Sequence, residues 1–229
     1  MNIEEAIDTR FSVRNYNDKS LQADVITTLN KKITECNTLS GLHIQLVTDE
    51  PKAFNGIMSY GKFSGVRNYI VMAGRKSDSF EYNIGYYGEQ LVLLAQQLGL
   101  GTCWVGLTYK KVKGTFTLAE GEKVACVIAI GYHDSAYRCH KSKEVKDVSN
   151  ADEDTPQWFI NGVTSALKAP TAINQQKFFF EYIKNPNGKP LVAARRRFSL
   201  AGYTKLDLGI ACLHFEIGAG KENFEWKWE

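Results

Sequence analysis

Residues 84–101 read IGYYGEQLVLLAQQLGLG. The run is mostly apolar, is closed by glycines, and carries apolar residues round more than one helical face. This predicts a helix buried on several sides. A second stretch has the same character, LDLGIACLHFEIGAG at 206–220, with Gly218-Ala219-Gly220 answering Gly99-Leu100-Gly101. The likeness extends upstream. ADVITTLNKKITEC, 23–36, spaces Val25, Ile26, Leu29, Ile33 and Cys36 helically and is followed by the alternating strand LHIQLV, 42–47. PQWFINGVTSALKAP, 156–170, is likewise a helix followed by a strand, FFFEYI, 178–183. Two readings stand at this point: an internal repeat of one α/β unit, or chance similarity between two such units.

Around these runs, VRNYIVMAG, 66–74, predicts a strand. VACVIAIG, 124–131, is the near-continuous apolar strand of a sheet covered on both faces. The polar segment 133–156 reads as a long connection, with a helix start at Asp154-Thr155-Pro156. Asn185-Pro186-Asn187-Gly188 is a turn, and FEWKWE, 224–229, is a short alternating strand. The expected fold class is α+β: a central, mostly antiparallel sheet flanked by helices. The halves are placed at 1–150 and 151–229 and together make one globular unit.

The chain has 229 residues, enough for a core that needs neither disulfide nor metal. Hydrophobic residues are 44% and charged residues 23%, which excludes disordered and disulfide-scaffold classes. Net charge is +3, from 28 Lys and Arg against 25 Asp and Glu, too weak a bias to argue for nucleic acid or a membrane surface. The cysteines are Cys36, Cys103, Cys126, Cys139 and Cys212, an odd number without Cys-x-x-Cys spacing. The histidines, His43, His133, His140 and His214, make no metal signature. The N-terminus is too polar for a signal peptide, and no apolar run reaches the ~20 residues of a membrane helix, so a reducing cytoplasmic setting is expected.

Four segments carry groups suited to ligand binding. In Arg10-Phe11-Ser12-Val13-Arg14, extended backbone puts Arg10, Ser12 and Arg14 on one face, where two guanidiniums flank a hydroxyl; the same residues would also suit a solvated basic strand. In Ala169-Pro170-Thr171-Ala172-Ile173-Asn174-Gln175-Gln176, proline stops the helix and Thr171, Asn174 and Gln176 offer hydroxyl and amide groups; an ordinary helix-to-strand loop is the alternative. Gly99–Gly106, GLGTCWVG, is either a place where a ligand lies against bare backbone or a helix cap before a buried strand. His140-Lys141-Ser142-Lys143 holds two lysines able to grip a phosphate, or is a charged surface loop. Arg195-Arg196-Arg197 is assigned no site role. Cys103 reads as a buried thiol and His214 as a core histidine. No acid–base or nucleophile constellation stands out, which points to chemistry performed by a cofactor.

Together the four segments resemble the FMN-dependent nitroreductase family. RFSVRNY, 10–16, is similar to its R-x-S-x-R-x-[FY] strand. APTAINQQKF, 169–178, is similar to its A-P-S-x-x-N-x-Q-P-W loop, GLGTCWVG to its glycine–tryptophan segment, and IGYHDSAYRCHKSK, 130–143, to its strand end and basic phosphate clamp. The order differs from the usual one. The place after the first helix, Asn37–Gly41, lacks the A-P-S-x-x-N loop, which appears only in the second half. The chain therefore resembles the branch built as an internal pseudo-dimer, each half keeping one side of a single site.

The resemblance implies bound FMN. Arg10 and Ser12 would meet its phosphate and ribityl chain, and Arg14 the pyrimidine edge. Lys141 and Lys143 would clamp the phosphate. Val105 and Gly106 would offer backbone to N5, and Pro170, Thr171, Ala172 and Asn174 would approach from the other half. Thr171 stands for the usual serine, Lys177 for proline and Phe178 for tryptophan. The implied activity is hydride transfer from NAD(P)H through flavin to a small electron-poor acceptor: a nitroaromatic, quinone or enone. A non-turnover FMN sensor or storage protein is the alternative. Fusion of the halves implies a monomer, with no nucleic-acid or membrane partner.

Overall fold

The side chain of Asn2 accepts from the Glu5 N–H at 2.7 Å while the Glu5 carboxylate accepts from the Asn2 N–H at 2.9 Å. This reciprocal cap starts α1, Ile3–Thr9, an element absent from the sequence reading. The computed structural model describes residues 1–56, 61–137 and 141–228. Cys139 and His140 lie outside the described residues. The chain continues through α2 (Ala23–Ser40), β1 (Gln45–Val47), β2 (Asn68–Arg75), α3 (Phe80–Gln97), β3 (Gly101–Val105) and β4 (Glu122–Gly131). The segment 133–156, read as a connection, contains a short helix α4 (Val145–Val148), and after it come α5 (Gln157–Ala166), β5 (Phe178–Ile183), β6 (Leu191–Arg196), α6 (Thr204–Ala219) and β7 (Glu225–Trp226).

Several boundaries move for local reasons. α2 runs four residues past Cys36 and stops where Gly41 takes φ 69°, its N–H returning to the Asn37 carbonyl. α3 begins at Phe80, four residues before the first apolar repeat. β6 absorbs Leu191–Arg196, so most of the arginine run is strand end rather than a free basic segment.

The strands form two sheets among the described residues. The first is antiparallel with order β1-β2-β4-β3; the second has order β5-β6-β7, with β7 parallel to β6. In the first sheet the pleat sorts the core. Ile70, Met72, Cys126, Ile128 and Ile130 face the helices, while Tyr69, Val71, Val127 and Ala129 face a second layer with Val13, Tyr16, Phe54 and Val66. Both faces of β4 are thereby covered, as its apolar run predicts. One helix-side core continues from α2 and α3 into Phe159, Phe178, Phe180 and Phe215 of the second half.

α3 and α6 cross where two glycines let the backbones touch. A Cβ on Gly85 would collide with the Leu206 carbonyl and stand 3.1 Å from the Ile210 nitrogen. One on Gly209 would collide with the Tyr82 carbonyl and stand 2.9 Å from the Tyr86 nitrogen. The contact is reciprocal: each glycine meets the residue three before and the residue one after the other. Gly85 thus answers Gly209, a register that differs from the one set by matching Gly99–Gly101 to Gly218–Gly220. Ala6 and Ile7 of α1 pack on Leu93 and Leu213, across the same helix pair. No helix among the described residues is long and apolar enough to cross a membrane.

Candidate functional site

The N-terminal strand of the site is positioned by one edge. The Val13 N–H donates to the Thr102 carbonyl at 2.9 Å, and Ser12 bridges Thr102 in parallel register. Val13 goes into the core, 1% exposed, so Arg10, Ser12 and Arg14 turn together to a cavity of about 360 Å³. Pro170, Thr171 and Asn174 close its far side. A second cavity of about 160 Å³ shares Ser12, Arg14 and Pro170 with the first and is lined by Trp104, Val105, Gly106, Ala172, Tyr203 and Asp207. Of the eleven residues picked out in the sequence, nine line these two cavities.

The remaining two lie elsewhere. Lys143 directs its ammonium at the loop itself, donating to the carbonyls of Gln175 at 3.1 Å and Gln176 at 2.7 Å. Burial, with Lys177 and Arg197 nearby, holds that ammonium below the usual lysine range. Lys141 contributes its carbonyl, which accepts from Asn174 Nδ2 at 2.7 Å. Gln176 also departs from the sequence expectation. It is 1% exposed, and its amide is engaged by Leu167 O, Ser142 Oγ and the Lys143 N–H rather than offered to a ligand.

The loop that carries Pro170–Asn174 is held in an unusual backbone. Ile173, Asn174 and Gln176 have φ of 49°, 56° and 45°. Left-handed backbone is costly for such side chains, above all for β-branched isoleucine, and persists only where surrounding contacts fix it. Asp207, on α6, supplies one set: its carboxylate accepts from the Ala172 N–H at 3.0 and 3.2 Å and from Gln175 Nε2 at 2.6 Å. Burial raises the Asp207 carboxyl to about 6, against the lowering effect of Gln175 and the Ala172 amide. Lys143 supplies the other set from the opposite side.

Asp207 was not legible as a site residue, although a lone acid inside an apolar helix is itself a signal. Glu89, in the middle of α3, is the second such case. It is fully buried and accepts from Trp104 Nε1 at 2.9 Å; His214 Nε2 lies 3.0 Å from its other oxygen. His214 is the satisfied core histidine expected from its surroundings, its Nδ1 3.3 Å from the Ser165 carbonyl. Burial pushes the Cys103 thiol up, in keeping with an inert buried cysteine. Arg195 pairs with Glu181 at 3.2 Å. Arg197 donates to the Asp147 carbonyl and lies over the Phe179 ring, so both serve the second sheet.

Arg10 is 8% exposed. One terminal nitrogen donates to the Lys168 carbonyl at 3.2 Å, and its Nε has no hydrogen-bond partner. A nearly buried guanidinium on a cavity wall favours an anionic ligand. Gly106 faces the Tyr203 hydroxyl so closely that a Cβ there would collide with it, and Val105, Gly106 and Tyr203 together line the inner cavity. A cationic outer cavity joined to a narrower one with bare backbone suits a phosphorylated ligand carrying a flat ring.

Residues 2–219 match the family described as "Putative TM nitroreductase", and the chain belongs to that family of oxidoreductases. No curated protein matches the sequence. Among solved structures, a "putative nitroreductase" from Thermotoga maritima shares 24% identity, over 97% of this chain and 85% of that one, with a TM-score of 0.66. A nitroreductase with bound FMN from Bacteroides fragilis shares 17% identity over 66% of this chain and 100% of that one, at TM-score 0.51. A "Putative NADH dehydrogenase/NAD(P)H nitroreductase" from Bacteroides thetaiotaomicron shares 20% identity over 65% and 96%, also at 0.51. These likenesses bear on the fold, which is nitroreductase-like and α+β as the sequence predicts.

Proposed function

We propose that the protein is an FMN-dependent NAD(P)H oxidoreductase that reduces a small electron-poor acceptor such as a nitroaromatic, quinone or enone. The observation that carries this reading is the meeting of segments 10–14, 105–106 and 170–174, distant in sequence, around two joined cavities. The buried guanidinium of Arg10 and the bare backbone at Gly106 fit the two ends of FMN. The bound flavin in the Bacteroides fragilis protein of the same fold is in keeping with it.

FMN, when bound, supplies a ring that accepts and returns a hydride. The chain's own residues do the rest. Arg10 and Ser12 hold the phosphate end. Arg14 brings a positive charge to the pyrimidine edge, where negative charge grows on reduction. The Val105–Gly106 backbone would lie toward the reactive edge of the ring, and the loop from Pro170 to Asn174 would line its other side. Lys143 and Asp207 hold that loop in shape, so the lysine supports the site without touching phosphate.

The same reading extends to the assembly. The reciprocal contact of Gly85 and Gly209 is of the kind a two-fold interface makes, and each half contains a run helix, strand, strand, helix, α2-β1-β2-α3 in the first and α5-β5-β6-α6 in the second. This supports an internal pseudo-dimer, with first half 1–150 and second half 151–229 and one FMN between them. Such a chain would work as a monomer on small molecules in the cytoplasm, without nucleic acid or membrane.

The test is the visible spectrum of freshly purified protein, repeated after anaerobic addition of NADH or NADPH. A yellow protein that bleaches is expected. A colourless protein that takes up no FMN would overturn the proposal, and one that stays yellow would move the function to flavin sensing or storage.

A further inference from the structure

A buried polar network lies behind the cavities and takes no direct part in the reading above. Glu89 and His214 have no solvent exposure. Glu89 touches both cavity walls: it accepts from Trp104 of the inner cavity at 2.9 Å, and one of its oxygens lies 4.0 Å from Nε of Arg10 of the outer cavity. His214 reaches it from α6 at 3.0 Å.

The hydrogen bonds constrain the protons of this network. The Ser165 carbonyl can only accept, so the 3.3 Å contact is a hydrogen bond when His214 Nδ1 carries the proton. The contact between Nε2 and Glu89 Oε1 needs a second proton, whether it resides on the imidazole or on the carboxyl. In either form the Glu89–His214 pair is neutral overall. Arg10 then stands 4.0 Å from a carboxyl oxygen that His214 already contacts, and its Nε makes no hydrogen bond to that oxygen.

We propose that His214, from the core and without touching ligand, neutralises Glu89 and so leaves Arg10 free to attract a phosphate. His214 and Glu89 are positioning residues that set the charge of the outer cavity. The proposal rests on the FMN reading and names what that reading does not: the device that keeps a carboxylate beside the phosphate anchor from cancelling it. An unpaired buried charge is costly, and the anion that enters the cavity relieves it.

The test compares FMN with riboflavin, which has the same ring and no phosphate, by fluorescence titration of deflavinated protein. Wild type is expected to prefer FMN. In His214→Gln the amide can donate to Glu89 but has no titratable proton to share with it, so Glu89 is expected to be a carboxylate facing Arg10. The preference for FMN is expected to fall about tenfold or more, the scale of one charge-assisted hydrogen bond, with riboflavin binding held. In Glu89→Gln the amide can donate to His214 and accept from Trp104 without charge, so the preference stays or rises. The double variant returns to the preference of Glu89→Gln. Thermal unfolding without ligand checks the fold of each, and His214→Asn, which keeps a donor for Ser165, carries the same expectation if His214→Gln does not fold. Equal loss of FMN and riboflavin in both single variants would show a structural role and overturn the inference. So would an unchanged preference in His214→Gln, or a wild type that binds both flavins alike. A wild type that binds neither flavin would fail the FMN reading itself and take the inference with it.

Discussion

Replacing Asp207 with asparagine should change how the stability of the protein depends on pH. Asp207 is 2% exposed and its carboxyl stands at about 6, against an ordinary 3.8, because burial penalises the charged form. The folded state therefore holds its proton to higher pH than the unfolded chain does. With the folded value raised, the contribution of this group is fully present below about pH 4 and is lost as pH rises through 6. At ~1.4 kcal/mol per pH unit, the gap between the two values corresponds to about 3 kcal/mol. Asparagine keeps an acceptor for the Ala172 N–H and carries no charge to desolvate. A turned Gln175 amide can meet its NH2 group, since Gln175 Oε1 has no partner. The assay is urea unfolding of both flavin-free proteins from pH 4 to 7.5. The stability of Asp207→Asn minus that of wild type should climb by about 3 kcal/mol across this range, with most of the rise between pH 4 and 6. Taking the difference cancels the other titrating groups. A difference flat with pH would refute the account, because it would mean that the loop contacts fully repay the burial of the charge.

Gly85→Ala should destabilise the protein by at least about 3 kcal/mol in urea unfolding, since its Cβ would meet the Leu206 backbone, which cannot turn aside as a side chain can. Lys143→Met should leave the Gln175 and Gln176 carbonyls without their ammonium and free the strained loop, seen as faster proteolytic cleavage within 171–176; unchanged cleavage would detach the lysine from the loop. Arg14→Ala should weaken FMN binding or slow its reduction by about 1–3 kcal/mol, read by fluorescence titration and anaerobic stopped flow.

Much of the fold is legible in the sequence, because α2 and α5 space their apolar residues helically while α3, α6, β2 and β4 are long apolar runs. The elements missed are those that do not depend on that period. α1 is seven residues long and is held by the Asn2–Glu5 cap and by packing of Ala6 and Ile7 across two distant helices. β6 ends in Arg195-Arg196, which reads as a solvated run until Glu181 on β5, two residues along from Arg195's cross-strand partner Phe179, pairs with Arg195. The cavity residues were found because local chemistry marks them: alternating cations and a proline-stopped loop. What sequence could not give is the partner of each charge. Nothing near Lys143 in the chain says that its ammonium meets carbonyls more than thirty residues away, and nothing near Asp207 says that it caps the turn at Ala172.

Those two charges act on one piece of backbone in opposite senses. Ala172–Asn174 is a single 3₁₀ turn. Its first N–H group points at the Asp207 carboxylate, and the carbonyls just beyond it point at the Lys143 ammonium. Each end of the turn thus has its polar backbone groups met by a side chain of opposite charge. The left-handed residues Ile173, Asn174 and Gln176 let the chain reverse within this frame. Pro170 and Thr171 are thereby carried to the wall shared by the two cavities. A lysine that the resemblance places on a phosphate and an acid that it does not mention thus do a single job: they hold the loop that walls two cavities whose other wall begins more than 150 residues earlier at Arg10.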